Sequence, residues 1–284
     1  MLHTEWSLVF FTSFSQLAAG IMIAVLPFVF SKNQTGYAKM NNTALYIAAG
    51  LMLIALVLSF LHLNNPVNAI HALSNLKTSW LSREIFFVSL FLLCLLAVNM
   101  VVYFKTSVVK YYRSFITATA IMGVLMIYVM ARLYILPTVP TWNSISTIIE
   151  FYSTALLTGS AFVLGLLFHY NIKTTKRIRF DSKTKALASI TLLAIVLIII
   201  NGFFITREVI EGNIAFKPQP FNRSLLLIRW LALLLGAVSI LLITYKKDKL
   251  KNMSLAFYLP FAFFLISELI ARAEFYAAFY RIGM

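Results

Sequence analysis

HLNNPVNAIHALSNLKTSWLSRE, residues 62–84, lies between two long apolar runs and brings together two histidines, a carboxylate, a lysine, an arginine, several amides and a tryptophan. Each flanking run is about 20 residues long, enough for a helix to cross about 30 Å of hydrocarbon. One end of the polar stretch therefore meets each span: His62 closes the run before it and Glu84 opens the run after it. Working outward, apolar runs alternate with short polar breaks along the whole chain. The pattern predicts an all-α polytopic bundle of eight transmembrane helices, at roughly 7–30, 43–63, 84–104, 113–135, 147–171, 186–206, 224–245 and 254–280. SKNQTGYAKMNN, TVPTWNS and KPQPFN supply three of the breaks, the last two through proline. The expectation is one integral, multi-pass membrane domain over residues 1–284.

Composition excludes an ordinary soluble domain. Only 12% of residues are charged and 61% are hydrophobic, whereas soluble domains carry about a quarter charged residues. Mean hydropathy is +0.88. A net charge of +15 would suit a nucleic-acid binder, but the basic residues sit between apolar runs, where membrane topology puts them. No nucleic-acid partner is expected; the partner along the spans is the lipid bilayer. The single cysteine, Cys94, falls inside an apolar run. It permits no disulfide within the protein and no iron–sulfur cluster held by this protein alone, and it reads as a small apolar residue rather than a reactive thiol. The opening MLHTEWSLVFF has no basic n-region and no clear cleavage site, so a cleaved leader is not expected.

Charge also orients the bundle. Lys32, Lys39, Lys105, Lys110, Arg113, Lys173, Lys176, Arg177, Arg179, Lys183, Lys185, Lys246, Lys247, Lys249 and Lys251 fall on one side, with only Asp181 and Asp248 as acids. The positive-inside rule makes that side cytoplasmic and puts both termini outside. The outer side then gathers Glu5, Glu84, Glu150, Glu208, Glu211, Glu268 and Glu274, together with His3, His62 and His71. Glu268 and Arg272 lie four apart in the last span, in the order that suits an ion pair. Ionisable groups at membrane depth are costly and usually pair or serve a site; interfacial anchoring is the plainer account of each one singly.

His62 and Glu84 end neighbouring antiparallel spans and approach the same level of the outer interface. Both exchange protons in suitable surroundings, which fits a substrate that loses protons as it loses electrons, as quinol does. Alternatively, His62 caps its span and Glu84 sits favourably in a first helical turn. Haem is disfavoured, because His62 and His169 lie at opposite ends of their spans while His3 and His71 lie outside any span. No zinc spacing, phosphate loop or nucleophile motif stands out. A small-molecule transporter would carry ionisable groups at the midplane, where the spans hold little beyond Gln16, Asn99 and Asn201. A passive anchor or assembly subunit would use the outer cluster only for docking.

Four segments carry a more specific signal: HTEWSLVFFTSFSQLAAG, LHLNNPVNAIHALSNLKTSWLSREI, MARLYILPTVPTWNSISTIIEFYSTALLTG and the closing SELIARAEFYAAFYRIGM. In this order and with these spans between them, the sequence resembles the membrane anchor subunit of the dimethyl sulfoxide reductase family. The resemblance implies eight helices in a bacterial cytoplasmic (inner) membrane, with both ends outside and no haem, metal or cluster on this subunit. It also implies a four-cluster iron–sulfur subunit and a molybdopterin catalytic subunit as partners, and menaquinol as the bound, oxidised substrate. The family's quinol-site histidine and glutamate fall on His62 and Glu84, which would bind quinol and transfer its protons. Arg132, Tyr134 and Trp142 either line the quinol pocket or form an aromatic belt with a basic anchor. Gln16 is either a donor to a quinone carbonyl or a helix–helix contact. The resemblance would place basic residues near the loop's proline, and NNPVNAIHALSNLKTSW lacks them there.

Overall fold

The computed structural model describes residues 6–31, 34–61, 73–104, 111–175, 182–210, 223–245 and 254–279. His3, His62 and His71, with most of the second loop, lie outside the described residues. Eight long helices account for nearly all of the rest: α1 (Trp6–Val29), α2 (Gln34–Leu61), α3 (Trp80–Phe104), α4 (Tyr112–Tyr134), α5 (Ile145–Thr175), α6 (Ser182–Ile210), α7 (Arg223–Tyr245) and α8 (Leu259–Ala277). All eight are long and apolar enough to cross a membrane.

Two boundaries differ from the sequence expectation by five residues or more. Helix α2 starts at Gln34, nine residues before the expected 43, because its polar first turns pack instead of looping. Met40 and Asn41 are buried, and the Tyr37 ring meets Phe28 edge-on at 5.1 Å. The last span begins as a short 3-10 turn, Ser254–Tyr258, and becomes α-helical at Leu259. Pro260 stands in the first turn, where a missing N–H costs nothing.

Helices α1 and α5 form the centre. In their most apolar stretches 78% and 89% of residues are buried, against 22% in α7. Helix α1 packs on α2, α4, α5 and α8; α5 also meets α6 and α8; α3 bridges α2 and α4, and α7 leans on α8. The outward faces carry side chains such as Leu93, Leu192, Leu227 and Leu241, which suit lipid.

The two central helices touch backbone to backbone. A Cβ on Gly20 would overlap the Ala155 carbonyl, and one on Gly159 would overlap Gly20 itself. Ala155 and Gly159 make a small-xxx-small pair, the spacing that lets membrane helices approach closely. Gly50, by contrast, faces open space. Placing a side chain at the crossing costs at least about 1–3 kcal/mol of overpacking. Gly159→Leu is therefore expected to cut the amount of folded protein recovered from membranes and lower its thermal midpoint in detergent, while Gly50→Ala leaves both unchanged. Size-exclusion recovery and a thermal melt check this; a Gly159→Leu protein that behaves like the parent refutes the close crossing.

Candidate functional site

At the end of the bundle where α1 starts and α8 finishes, polar side chains from six helices gather inside the protein. Helix α3 brings the first. Its start is held by Ser79, whose Oγ accepts the Ser82 N–H at 3.3 Å. The Arg83 side chain folds back to donate to the Leu76 and Lys77 carbonyls at 2.9 and 2.6 Å. The Trp80 ring then receives two guanidinium groups, Arg83 at 4.3 Å and Arg132 at 5.1 Å. One turn on, Glu84 points inward and is only 6% exposed. Its Oε1 has no hydrogen-bond partner among the described residues. It lies within electrostatic reach of the Tyr134 and Tyr276 hydroxyls. Arg132 thus faces Trp80 at the start of α3.

Tyr134, the last residue of α4, sits in an aromatic box: Trp142 at 5.3 Å, Phe151 at 5.7 Å, Phe275 at 5.4 Å and Tyr276 at 5.5 Å between ring centres. Its hydroxyl accepts a hydrogen bond from Tyr276 at 2.8 Å, with Thr12 Oγ1 3.4 Å from the same Tyr276 oxygen. Trp142 stacks on Phe275 at 5.1 Å, and its indole N–H donates to the Phe275 carbonyl at 2.8 Å. Thr141 donates to the Ala278 carbonyl at 2.8 Å. These bonds clamp the proline-containing connection after α4 onto the end of α8. Tyr134 and Trp142 are both buried, so neither belongs to a lipid-facing belt.

Deeper in the bundle, Gln16 and Arg272 are buried together, and Arg272 Nη2 donates to Gln16 Oε1 at 2.8 Å. The guanidinium lies 3.8 Å over the Phe151 ring centre. The Thr154 hydroxyl is 2.6 Å from Glu268 Oε2. Glu150 and Arg229 are the further charged neighbours of Glu268, and Arg229 pairs with Glu274 at 3.2 Å. The expected Glu268–Arg272 ion pair is not formed: each side chain turns to a different helix, α5 for Glu268 and α1 for Arg272. Gln16 makes the helix–helix contact and keeps its Nε2 without a partner among the described residues.

Sequence reasoning missed Tyr276, Thr12 and Thr154 as site residues, although a signal for them was present. Polar residues recur every four positions on three central helices: Thr12 and Gln16 on α1, Glu150 and Thr154 on α5, and Glu268, Arg272 and Tyr276 on α8. That is one stripe on each helix, and the three stripes converge. Among the described residues, no group of three or more His, Cys, Asp or Glu side chains is arranged to hold a metal ion.

Comparison with known proteins agrees with this architecture. A family model described as the DMSO reductase anchor subunit (DmsC) matches residues 1–278. The protein is similar to the C subunit of the anaerobic dimethyl sulfoxide reductase of Haemophilus influenzae, 27% identical over 163 residues that cover 57% of this protein and 58% of the relative. The C subunit of the same-named reductase in Escherichia coli is 30% identical over 169 residues, 57% of each protein. The anaerobic dimethyl sulfoxide reductase subunit YnfH of Escherichia coli is 25% identical over 194 residues, 66% of this protein and 64% of that one. Each alignment spans less than two thirds of the relative's length. The match over residues 1–278, laid on eight apolar helices, places the protein in the DMSO reductase anchor subunit family, as a multi-pass protein of the inner membrane.

Proposed function

We propose that this protein anchors a respiratory molybdoenzyme of the dimethyl sulfoxide reductase kind and oxidises menaquinol at the end of the bundle that holds Glu84. Glu84 carries the reading: a carboxylate inside a transmembrane helix, almost wholly buried, with one oxygen open and two tyrosine hydroxyls nearby. A buried ionisable group at membrane depth is a functional-site signal. His62 directly follows Leu61, the last residue of α2, and is the natural partner of Glu84 across the second loop. The aromatic surroundings of Tyr134 and Trp142 suit a flat quinone ring. Gln16 Nε2 and Arg132 are further donors for its oxygens.

In this reading quinol gives up two electrons and two protons. The electrons pass to a four-cluster iron–sulfur subunit docked at the same end, and from there to a molybdopterin catalytic subunit. His62 and Glu84 accept hydrogen bonds from the quinol hydroxyls and take protons from them. The chemistry at the terminal acceptor belongs to the partners' cofactors. The whole protein acts as one membrane domain, and its basic loops put the Glu84 end outside, with both termini.

Two experiments test this. In membranes holding the assembled complex, His62→Leu and Glu84→Gln are each expected to lower oxidation of a menaquinol analogue about 100-fold, while reductase activity with an artificial dye donor stays near the parent value. Persistence of both activities would remove these residues from the site; loss of both would favour a passive anchor. For orientation, Cys94→Ser supplies a background for single cysteines. Asn75→Cys, in an exposed position before α3, should react with a membrane-impermeant maleimide in intact cells. Ser182→Cys, exposed at the start of α6, should react only after the cells are opened; the reverse pattern inverts the topology.

A further inference from the structure

The deeper polar cluster has more ionisable groups than helix packing requires. Glu268 lies nine residues before the end of α8, about 14 Å into the bundle at 1.5 Å per residue. It is 1% exposed, as is Arg272, and Gln16 is fully buried. A polar staple between helices would satisfy its own groups. Here Glu268 Oε1, Arg272 Nε and Nη1, Gln16 Nε2 and Glu274 Oε1 all lack partners among the described residues. Orphaned buried donors and acceptors are the groups that internal water bonds.

The cluster also runs between two places. On one side, Arg272 is an electrostatic neighbour of the Tyr134–Tyr276 hydroxyl pair, as is Glu84. On the other, Glu268 neighbours Glu150 and Arg229, and Glu150 and Arg229 neighbour Glu274. Glu274 is three residues from the end of α8, and the Arg229–Glu274 pair is the partly exposed end of the series, at 16% and 15%. The charged groups facing Glu268 are therefore Glu150 from α5, Arg229 from α7 and Arg272 from its own helix. Thr154 bonds it directly.

We infer that Glu268 is a proton-relay residue, carrying one of the two protons released from quinol beside Glu84 across the bundle to the Arg229–Glu274 pair at its edge. The inference rests on the quinol-oxidising reading. For each quinol, two O–H bonds break and two electrons go to the iron–sulfur partner. One proton leaves by way of His62, and the other is taken by Glu84 and follows the relay through its tyrosine neighbours. The Tyr134 and Tyr276 hydroxyls pass a proton by releasing one and taking another. Arg272 keeps its own proton and positions Gln16 and the intervening water. Glu268 takes the proton on its open oxygen and returns it towards Glu150 and Glu274.

The test uses assembled complex in membranes, with quinol-analogue oxidation, dye-driven reductase activity and the solvent deuterium isotope effect measured together. If the parent complex oxidises no quinol, the functional reading fails and this inference fails with it. If the parent does oxidise quinol, Glu268→Gln is expected to keep dye activity, slow quinol oxidation at least about tenfold and raise its isotope effect, with Glu268→Asp recovering part of the rate. A Glu268→Gln complex with the parent's rate and isotope effect overturns the relay while leaving the quinol site intact. Should Glu268→Gln not assemble, Thr154→Val removes the 2.6 Å contact to Glu268 together with the hydroxyl's 2.9 Å bond to the Glu150 carbonyl; a raised isotope effect supports the relay and an unchanged one overturns it.

Discussion

Where α1 crosses α5 the two backbones are in contact, and much of the interior follows from that. Gly20 and Gly159 leave no room for a Cβ, so the helix axes come closer than side chains normally allow. Small buried residues beside the crossing let other helices close in as well: Ala19 on α1 lies against Gly123 of α4, and Ser160 on α5 bonds Thr191 of α6 at 2.8 Å. A crossing this tight has little side-chain volume of its own. Larger groups from elsewhere reach into it, and α8, which packs on both helices, supplies them. Gln16 lies one turn before Gly20, and Thr154 next to Ala155. The glycine contact therefore sets the spacing at which Arg272 reaches Gln16 and Glu268 reaches Thr154.

Burying those groups is expensive, and the structure offsets the cost in particular ways. Arg272 does not rely on a carboxylate: it lies flat over Phe151 and bonds an amide oxygen, which suits a delocalised, weakly hydrated cation. Glu268 holds a hydroxyl on one oxygen. Removing the neutral partner of either bond costs at least about 1–3 kcal/mol, because a buried charged group is left unsatisfied. A group of this kind is hard to alter piecemeal. The Arg229–Glu274 pair, nearer the surface, is worth much less to stability, and its value lies in where it sits.

The spans were legible because hydrocarbon thickness imposes a length that periodic apolar runs reveal, and most boundaries agree within a few residues. The start of α2 was not legible: GYAKMNN reads as a loop by composition, and only packing against α1 makes it helical. Glu84 was legible as a span-opening carboxylate, but its burial depends on packing between helices, such as that of α3 on α4, which no single span reveals. The Glu268–Arg272 spacing suggested a pair within one helix. In a bundle, each side chain had a better partner on a neighbouring helix, which no single-helix rule weighs. Tyr134 and Trp142 suited a membrane belt by position; the hydrogen bond from Trp142 to Phe275 turned them inward. Deep ionisable groups are kept off helix faces that meet lipid, and that expectation does not extend to the enclosed stripe on α8.

That stripe depends in turn on a loop. Thr141 and Trp142 bond the carbonyls of Ala278 and Phe275, at the end of α8, where a helix's last carbonyls look outside it for partners. The connection after α4 thus caps the last helix as well as joining α4 to α5. Its turns are held by Val139 N–H bonding the Leu136 carbonyl and Trp142 N–H bonding the Val139 carbonyl, with Pro137 and Pro140 limiting the alternatives. A shift of one residue in how this loop meets α8 would rotate the helix by about 100°, the angle per residue at 3.6 residues per turn. Arg272 and Tyr276 would then leave Gln16 and Tyr134. The rigid segment that shapes the aromatic box is also what fixes the register of the buried charges, so the two parts of the site stand or fall as one unit.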